Sequence, residues 1–428
     1  MKWRMRYLTM FISALLLVTL SFVLWTSNQK KILRIGVYAG SSWDVPNSRE
    51  NRVLDNIIHQ FEKSHPNVKV VYESGIPKKD YDNWLAEKIL KGEQPDIFMV
   101  PENDFSMLSA SGAFKSLDSL LSKEEVAAYY PVAYQAGQYQ GHSYALPIES
   151  NPVMMCVNKD LLEKEGISIP DSNWTLEDLY AICQKVTKDT DGDGLIDQYG
   201  ITDYTWKQSL VAYNGHLRNQ NGVNIDSVEM HQALSFISKL DSLNQRYKVT
   251  SNDFDEGKVA FYPMSLAQYR TYKPYPYHVA KYSRFSWTCI PMPAAKAGIP
   301  ATQVKTSLFA MSSKTKQDKL AWEFMKLLCQ NQKNQQELFA KSQGTSVLTS
   351  VVKSSQTKKI LQADDFGLDS LTSQRLDHMM KHSVLDISRD LDYHSLERLD
   401  YLLGNALKNN EIDSILPSIQ REMEETGK

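Results

Sequence analysis

The stretch Tyr139 to Glu165, YQGHSYALPIESNPVMMCVNKDLLEKE, constrains the fold more than any other part of the chain. It opens with a polar turn at Gln140-Gly141 and continues as a short run, Tyr144 to Ile148. Pro147 and Pro152 each remove a backbone donor and fix φ, so no single long strand is expected to pass through. A second apolar run, Val153-Met154-Met155-Cys156-Val157, reads as a buried strand. Asn158 is placed to cap a short helix ending near Gly166. This is the pattern of a strand leaving one core, a stiff polar link, and a strand joining another. Glu149, Ser150 and Asn151 sit in the link, at the bottom of any cleft between the cores.

The 428 residues suffice for two or three domains. Hydrophobic residues are 42% and charged residues 23%, a globular mixture. The net charge of −2 carries no basic block, which excludes a nucleic-acid footprint. Cys156, Cys183, Cys289 and Cys329 show no CxxC spacing and read as buried free thiols. No HExxH, GxSxG, Walker loop or GxGxxG occurs.

Lys2, Arg4 and Arg6 precede an uncharged apolar run from Tyr7 to Trp25, about the length that spans a hydrocarbon core. No small-residue cleavage site follows it, so an uncleaved anchor is favoured over a cleaved signal. Ile32 to Tyr38 reads as a strand. Arg49 to His65 is an amphipathic helix with Val53, Leu54, Ile57, Ile58 and Phe61 on one face. A strand at Val68 to Tyr72, a helix carrying Tyr81, Trp84, Leu85 and Ile89, and a strand at Asp96 to Val100 complete a β-α-β-α-β order. That order implies a parallel sheet with ligands beyond its C-terminal strand ends. The loops there are 39–48, 74–78 and 101–105. Further on, Thr175 to Asp178 resembles a capping box and Ser227 caps another helix. Strands are expected at Gly257 to Tyr262 and Ser307 to Met311, followed by a mostly helical C-terminal part.

LPIESNPVMMCVNKDLLEKEGI, followed by NWTLEDL, resembles the hinge and second-lobe start of family 1 extracellular solute-binding proteins of bacterial ABC importers. These include maltose- and oligosaccharide-binding proteins. The resemblance runs from about Ile32 to the C-terminus. It implies an α/β, two-lobed periplasmic-binding-protein-like (type II) fold with a ligand cleft between lobes. Residues 1–31 are expected to be an N-terminal membrane anchor or signal segment. Residues 32–148 with 304–345 form the first lobe, and 149–303 with 346–428 the second. It further implies a monomer on the extracellular face that binds a carbohydrate and delivers it to permease subunits. Two rivals remain: a sugar-sensing subunit bound to a receptor or kinase, and a glycoside-active enzyme.

Trp43 and Asp44 lead the ligand candidates, because a tryptophan in a Gly-Ser loop at a strand end is poorly placed for a core; the alternative is a loop-anchoring hydrophobe. Trp206 faces either cleft or core. Tyr262 and Tyr269 match the region where family members place a stacking aromatic, although Leu266-Ala267 stands where Gly-Pro-Trp is often found. Glu102 and Glu149 are acceptors for sugar hydroxyls or else solvated loop acids, and Asn151 lies beside Glu149. His378 and His382, at helical spacing beside Asp377, read as a solvated or interface face.

The sharpest motif is Asp189-Thr190-Asp191-Gly192-Asp193-Gly194-Leu195-Ile196-Asp197. It matches an EF-hand-type loop, with carboxylates of Asp189, Asp191 and Asp193 at positions 1, 3 and 5, the Leu195 carbonyl at 7 and Asp197 at 9. Position 12 is Gly200 rather than a bidentate glutamate, and Gln198 offers one oxygen. A structural Ca2+ is the expectation, with an ion-free Asp/Gly turn as its alternative.

Overall fold

The structure is a computed structural model that describes residues 30–43, 45, 50–101, 103–245, 247–271, 285–363, 370–409 and 411–426. Asp44, Glu102 and the apolar run Tyr7 to Trp25 lie outside the described residues. Among those described, no helix is long and apolar enough to cross a membrane.

The first lobe starts as the hydrophobic periodicity dictates. Strand β1 (Lys31–Gly36) is followed by α1 (Glu50–Ser64), β2 (Val68–Tyr72), α2 (Lys78–Leu90) and β3 (Ile97–Val100). β1 pairs in parallel with β2 on one side and β3 on the other. Val53, Ile57 and Phe61 of α1 are all buried. Each contributes about 1.5–3 kcal/mol by leaving water. Phe61 also meets Phe324 edge-on, with ring centres 5.2 Å apart.

The link between the lobes differs from expectation. One unbroken strand, β4 (Ala145–Asn158), runs through both prolines. Register explains how. At Pro147 the partner strand shifts register between Ser307 and Leu308, so the ladder is already irregular there. Pro152 is the last residue paired within the first lobe, opposite Val304, and Val153 is the first paired within the second, opposite Ser265. The missing donor falls where the strand changes neighbours.

The second lobe contains α3 (Leu176–Val186), β5 (Tyr199–Ile201), α4 (Trp206–Ala212), α5 (Val228–Leu243), β6 (Val259–Ser265), α6 (Leu266–Thr271) and β7 (Trp287–Ile290). The second half of β4 pairs antiparallel with both β6 and β7, and β6 pairs in parallel with β5. Thr175 and Asp178 form the expected capping box on α3. Asn158 and Ser227 cap the helices that follow them.

The chain then returns. β8 (Thr302–Met311) lies antiparallel to both β4 and β3. Helix α7 (Gln332–Lys341) leads to β9 (Thr345–Ser346), which pairs with Ser150 and Glu149. Strand β10 (Ser383–Leu385) adds in parallel to the start of β8. Helices α8 (Tyr393–Asn409) and α9 (Ile412–Thr426) bury Leu399, Leu403, Leu416 and Ile419 against Leu210, Met230 and Leu234 of α4 and α5.

Trp206 belongs to this last core rather than to a cleft. It is 5% exposed, packs with the leucines of α8, and donates its indole N–H to Asp400 at 2.7 Å. Trp206→Phe keeps one aromatic ring and removes the indole donor. It should cost about 1–2 kcal/mol in denaturant unfolding and leave ligand affinity unchanged. Lost affinity at full stability would return Trp206 to the cleft.

Candidate functional site

Three crossing segments lie side by side at Glu149 and Ser150. Ser150 is opposite Thr306 on one side and Thr345 on the other. The Ser150 and Thr306 hydroxyls are 2.9 Å apart. Glu149 is only 2% exposed. Its Oε1 accepts from the Gly344 N–H at 2.7 Å and from the Ser342 hydroxyl. The Arg270 guanidinium from α6 donates to the carbonyls of Gly344 and Phe339, each at 2.8 Å, and lies over the Phe339 ring. Burial pushes the Glu149 carboxyl up, opposed by these donors and by the Arg270 charge. Burial also lowers Arg270, to about 10, against the pull of Glu149. A side chain at Gly344 would place Cβ 2.5 Å from Glu149 Oε1, so glycine is required for this close approach.

These contacts correct the expectation for the floor residues. The carboxyl of Glu149 holds the 342–344 segment, and burial keeps it from acting as a solvated loop acid. Asn151 is 5% exposed and accepts from the Ala267 N–H at 2.9 Å, holding the start of α6. Tyr262 and Tyr269 are likewise core residues, 7% and 1% exposed. Tyr262 meets Phe254 edge-on, and Tyr269 packs on Trp287 and hydrogen-bonds Ser370 at 2.6 Å. Tyr262 on β6 and Tyr269 on α6 both pack into one core cluster with Trp287.

Trp43 stays at the crossing. It is half-buried, and its indole nitrogen lies against Glu149, near enough to favour the carboxylate though outside hydrogen-bonding geometry. The Ser41 hydroxyl accepts from its backbone N–H at 3.1 Å, and Lys78 binds the neighbouring Ser42 carbonyl at 2.9 Å. The loop after β1 is thus fastened beside the floor.

Sequence reasoning missed the residues that form the walls. Arg389, just beyond β10, lies 5.6 Å over the Phe105 ring and donates to the Ala136 carbonyl at 3.2 Å. A small cavity of about 30 Å³ is lined by Val100, Phe105, Lys305, Thr306 and Arg389. A cavity of about 270 Å³, lined by Asn214, His216, Pro300 and Asp390, shares Leu385, Asp386 and Arg389 with it. The pair runs from the C-terminal end of β3, past β8, to the loop after α4. The Asp390 carboxyl is raised by burial, opposed by His216 and Arg389. Asp104, beside Phe105, is pushed up to about 6 by burial, with Asp82 and Asp392 adding repulsion. The 101–105 loop was legible as a strand end, but nothing local in the sequence brings residues 386–390 to it.

The Asp-rich loop is compact. Carboxylate oxygens of Asp189, Asp191 and Asp193 lie within 4.8 Å of one another. Asp189 accepts from the N–H groups of Gly192 and Gly194 at 2.7 and 2.8 Å, and both glycines have positive φ. Asp197 accepts from the Thr190 N–H and hydroxyl. Gln198 turns away, donating to Glu165 and the Val186 carbonyl. It is therefore no ligand for the loop. The Leu195 side chain is exposed, as a residue contributing only a carbonyl permits. Three converging carboxylates suit a hard divalent cation such as Ca2+.

Residues 56–364 match the family of bacterial extracellular solute-binding proteins. The chain belongs to that family. A maltotriose-binding protein of Pyrococcus abyssi is 25% identical to it over 138 residues, 32% of this chain and 30% of that one. The matched stretches span about a third of the first curated relatives, 30% and 32%. The sugar-binding protein MalE of Xanthomonas citri superposes with a TM-score of 0.74 at 15% identity, covering 92% of this chain and 97% of that one. A substrate-binding protein of Listeria monocytogenes in complex with cycloalternan gives 0.65 at 18% identity, covering 93% and 99%. These likenesses confirm the two-lobed α/β fold.

The raised Asp104 carboxyl predicts a pH-dependent stability. A folded-state value above the ordinary 3.8 gives a contribution to stability that is complete below that value and lost as pH rises through about 6. Asp104→Asn should flatten the rise of the unfolding midpoint on acidification between these limits. An unchanged slope would remove the carboxyl from the account.

Proposed function

We propose that this protein captures a carbohydrate between its lobes, as the binding component of an ABC importer. The observation carrying this reading is the cleft itself. Trp43, half-buried at the fastened end of the first loop, sits beside the crossing strands. Flat apolar faces with polar edges nearby suit sugar rings. Lys305, Thr306, His216, Asp390 and Arg389 supply polar edges. The relatives named for maltotriose, sugar and cycloalternan support the same class. The family's extracellular character supports export, and the apolar run Tyr7 to Trp25 supports a tether in the membrane.

In this reading the protein works as a monomeric binder, not a catalyst. The buried Glu149–Gly344–Arg270 contacts hold the crossing segments together while the lobes rotate about residues 147–152. Closure brings the walls onto the sugar, and the closed form meets the permease. Titration with mixed oligosaccharides, followed by tryptophan fluorescence, tests this. Trp43→Ala should weaken binding about tenfold or more with little change in unfolding midpoint. Undiminished binding in that variant would move the site elsewhere.

The loop of Asp189, Asp191, Asp193, Leu195 and Asp197 is proposed to hold structural Ca2+, which relieves repulsion among its carboxylates. Ca2+ should then raise the unfolding midpoint of chelator-treated protein, and Asp191→Asn should weaken the effect. An equal midpoint with and without Ca2+ would leave the loop as an ion-free turn.

A further inference from the structure

Cys156 on β4 and Cys289 on β7 stand directly opposite each other in an antiparallel pair. Their Sγ atoms are 3.6 Å apart, both thiols are free, and both residues are 0% exposed. Opposed residues of an antiparallel pair have Cα atoms about 4.5–5.5 Å apart. That range lies within the roughly 4.4–6.8 Å a disulfide bridges. Rotation of the two side chains therefore brings the sulfurs to bonding distance with the strands left in place. Cys183 and Cys329 are buried in two other core clusters and have no such neighbour.

We propose that Cys156 and Cys289 form a disulfide in the exported protein. This rests on export, as proposed above, because an extracellular setting sustains such bonds. The two thiols together release two protons and two electrons and form one S–S bond. The electrons pass to the disulfide of a small-molecule or protein oxidant, whose own S–S bond breaks to give two thiols through a mixed-disulfide intermediate. Thiolate is the attacking species. Burial raises the Cys156 thiol, which favours oxidation before the core around the two cysteines closes. The bond would join residues 133 apart in sequence, constraining the unfolded chain across a long loop. It would also fasten β7 to the strand that carries the hinge.

The full chain, produced by export, is denatured without reductant, alkylated and weighed. Two alkylated thiols are expected, rising to four after reduction, with a peptide linking Cys156 to Cys289. Four alkylated thiols without reductant overturn the proposal, whatever the outcome of the sugar titrations. A second measurement compares unfolding midpoints with and without reductant during folding. The wild type should lose about 5–10 °C, and the double variant Cys156→Ser/Cys289→Ser should not respond. The same response in both proteins would also overturn it.

Discussion

The backbone pairing of β4 through both sheets is the constraint on which the molecule depends. One strand supplies the edge of the first-lobe sheet against β8 and β9, then the centre of the second between β6 and β7. The lobes therefore share a continuous strand, which changes partners between Pro152 and Val153. At that place a carboxylate is buried. An uncompensated charge there would cost several kcal/mol. Glu149 is instead met by two donors and by the Arg270 charge. These partners come from the 342–344 return and α6, so a single polar cluster ties both to β4.

That cluster also decides what is left for a ligand. Glu149 Oε1 accepts from Gly344 and Ser342, and Asn151 accepts from Ala267, so both side chains are held in place by the fold. Further polar groups line the two cavities beside the crossing: Arg389 is shared by both, with Val100 at the end of β3 in one and His216 and Asp390 in the other. The aromatic contribution divides in the same way. Trp206, Tyr262, Tyr269 and Phe105 are committed to cores, whereas Trp43 lies half-buried where the first loop approaches the crossing.

Much of the fold was legible because it depends on local periodicity. The apolar face of α1, the alternation in β2 and the caps at Asn158, Thr175 and Ser227 all formed as read. The continuity of β4 was not legible. A proline's cost depends on whether its missing N–H falls at a ladder position, and that is set by register with strands more than a hundred residues away. Cys156 and Cys289 are a second case, brought together by cross-strand register with no signal in their spacing. The wall residues are a third. Arg389 reaches Phe105 only because β10 adds to β8, a pairing of residues 383–385 with 302–304 that no short motif announces. Trp206 had two readings, and the approach of Asp400 from a distant helix chose between them.

The central claim is that the cleft takes a carbohydrate, and thermal unfolding against a panel of mono- and oligosaccharides tests it most directly. A ligand held only by the folded state raises the midpoint, with a gain of about 2.7 kcal/mol at a hundredfold excess over Kd. The account predicts that one glycan class shifts the midpoint and the others do not. A midpoint unmoved by every sugar, but raised by peptides or other solutes, would contradict it.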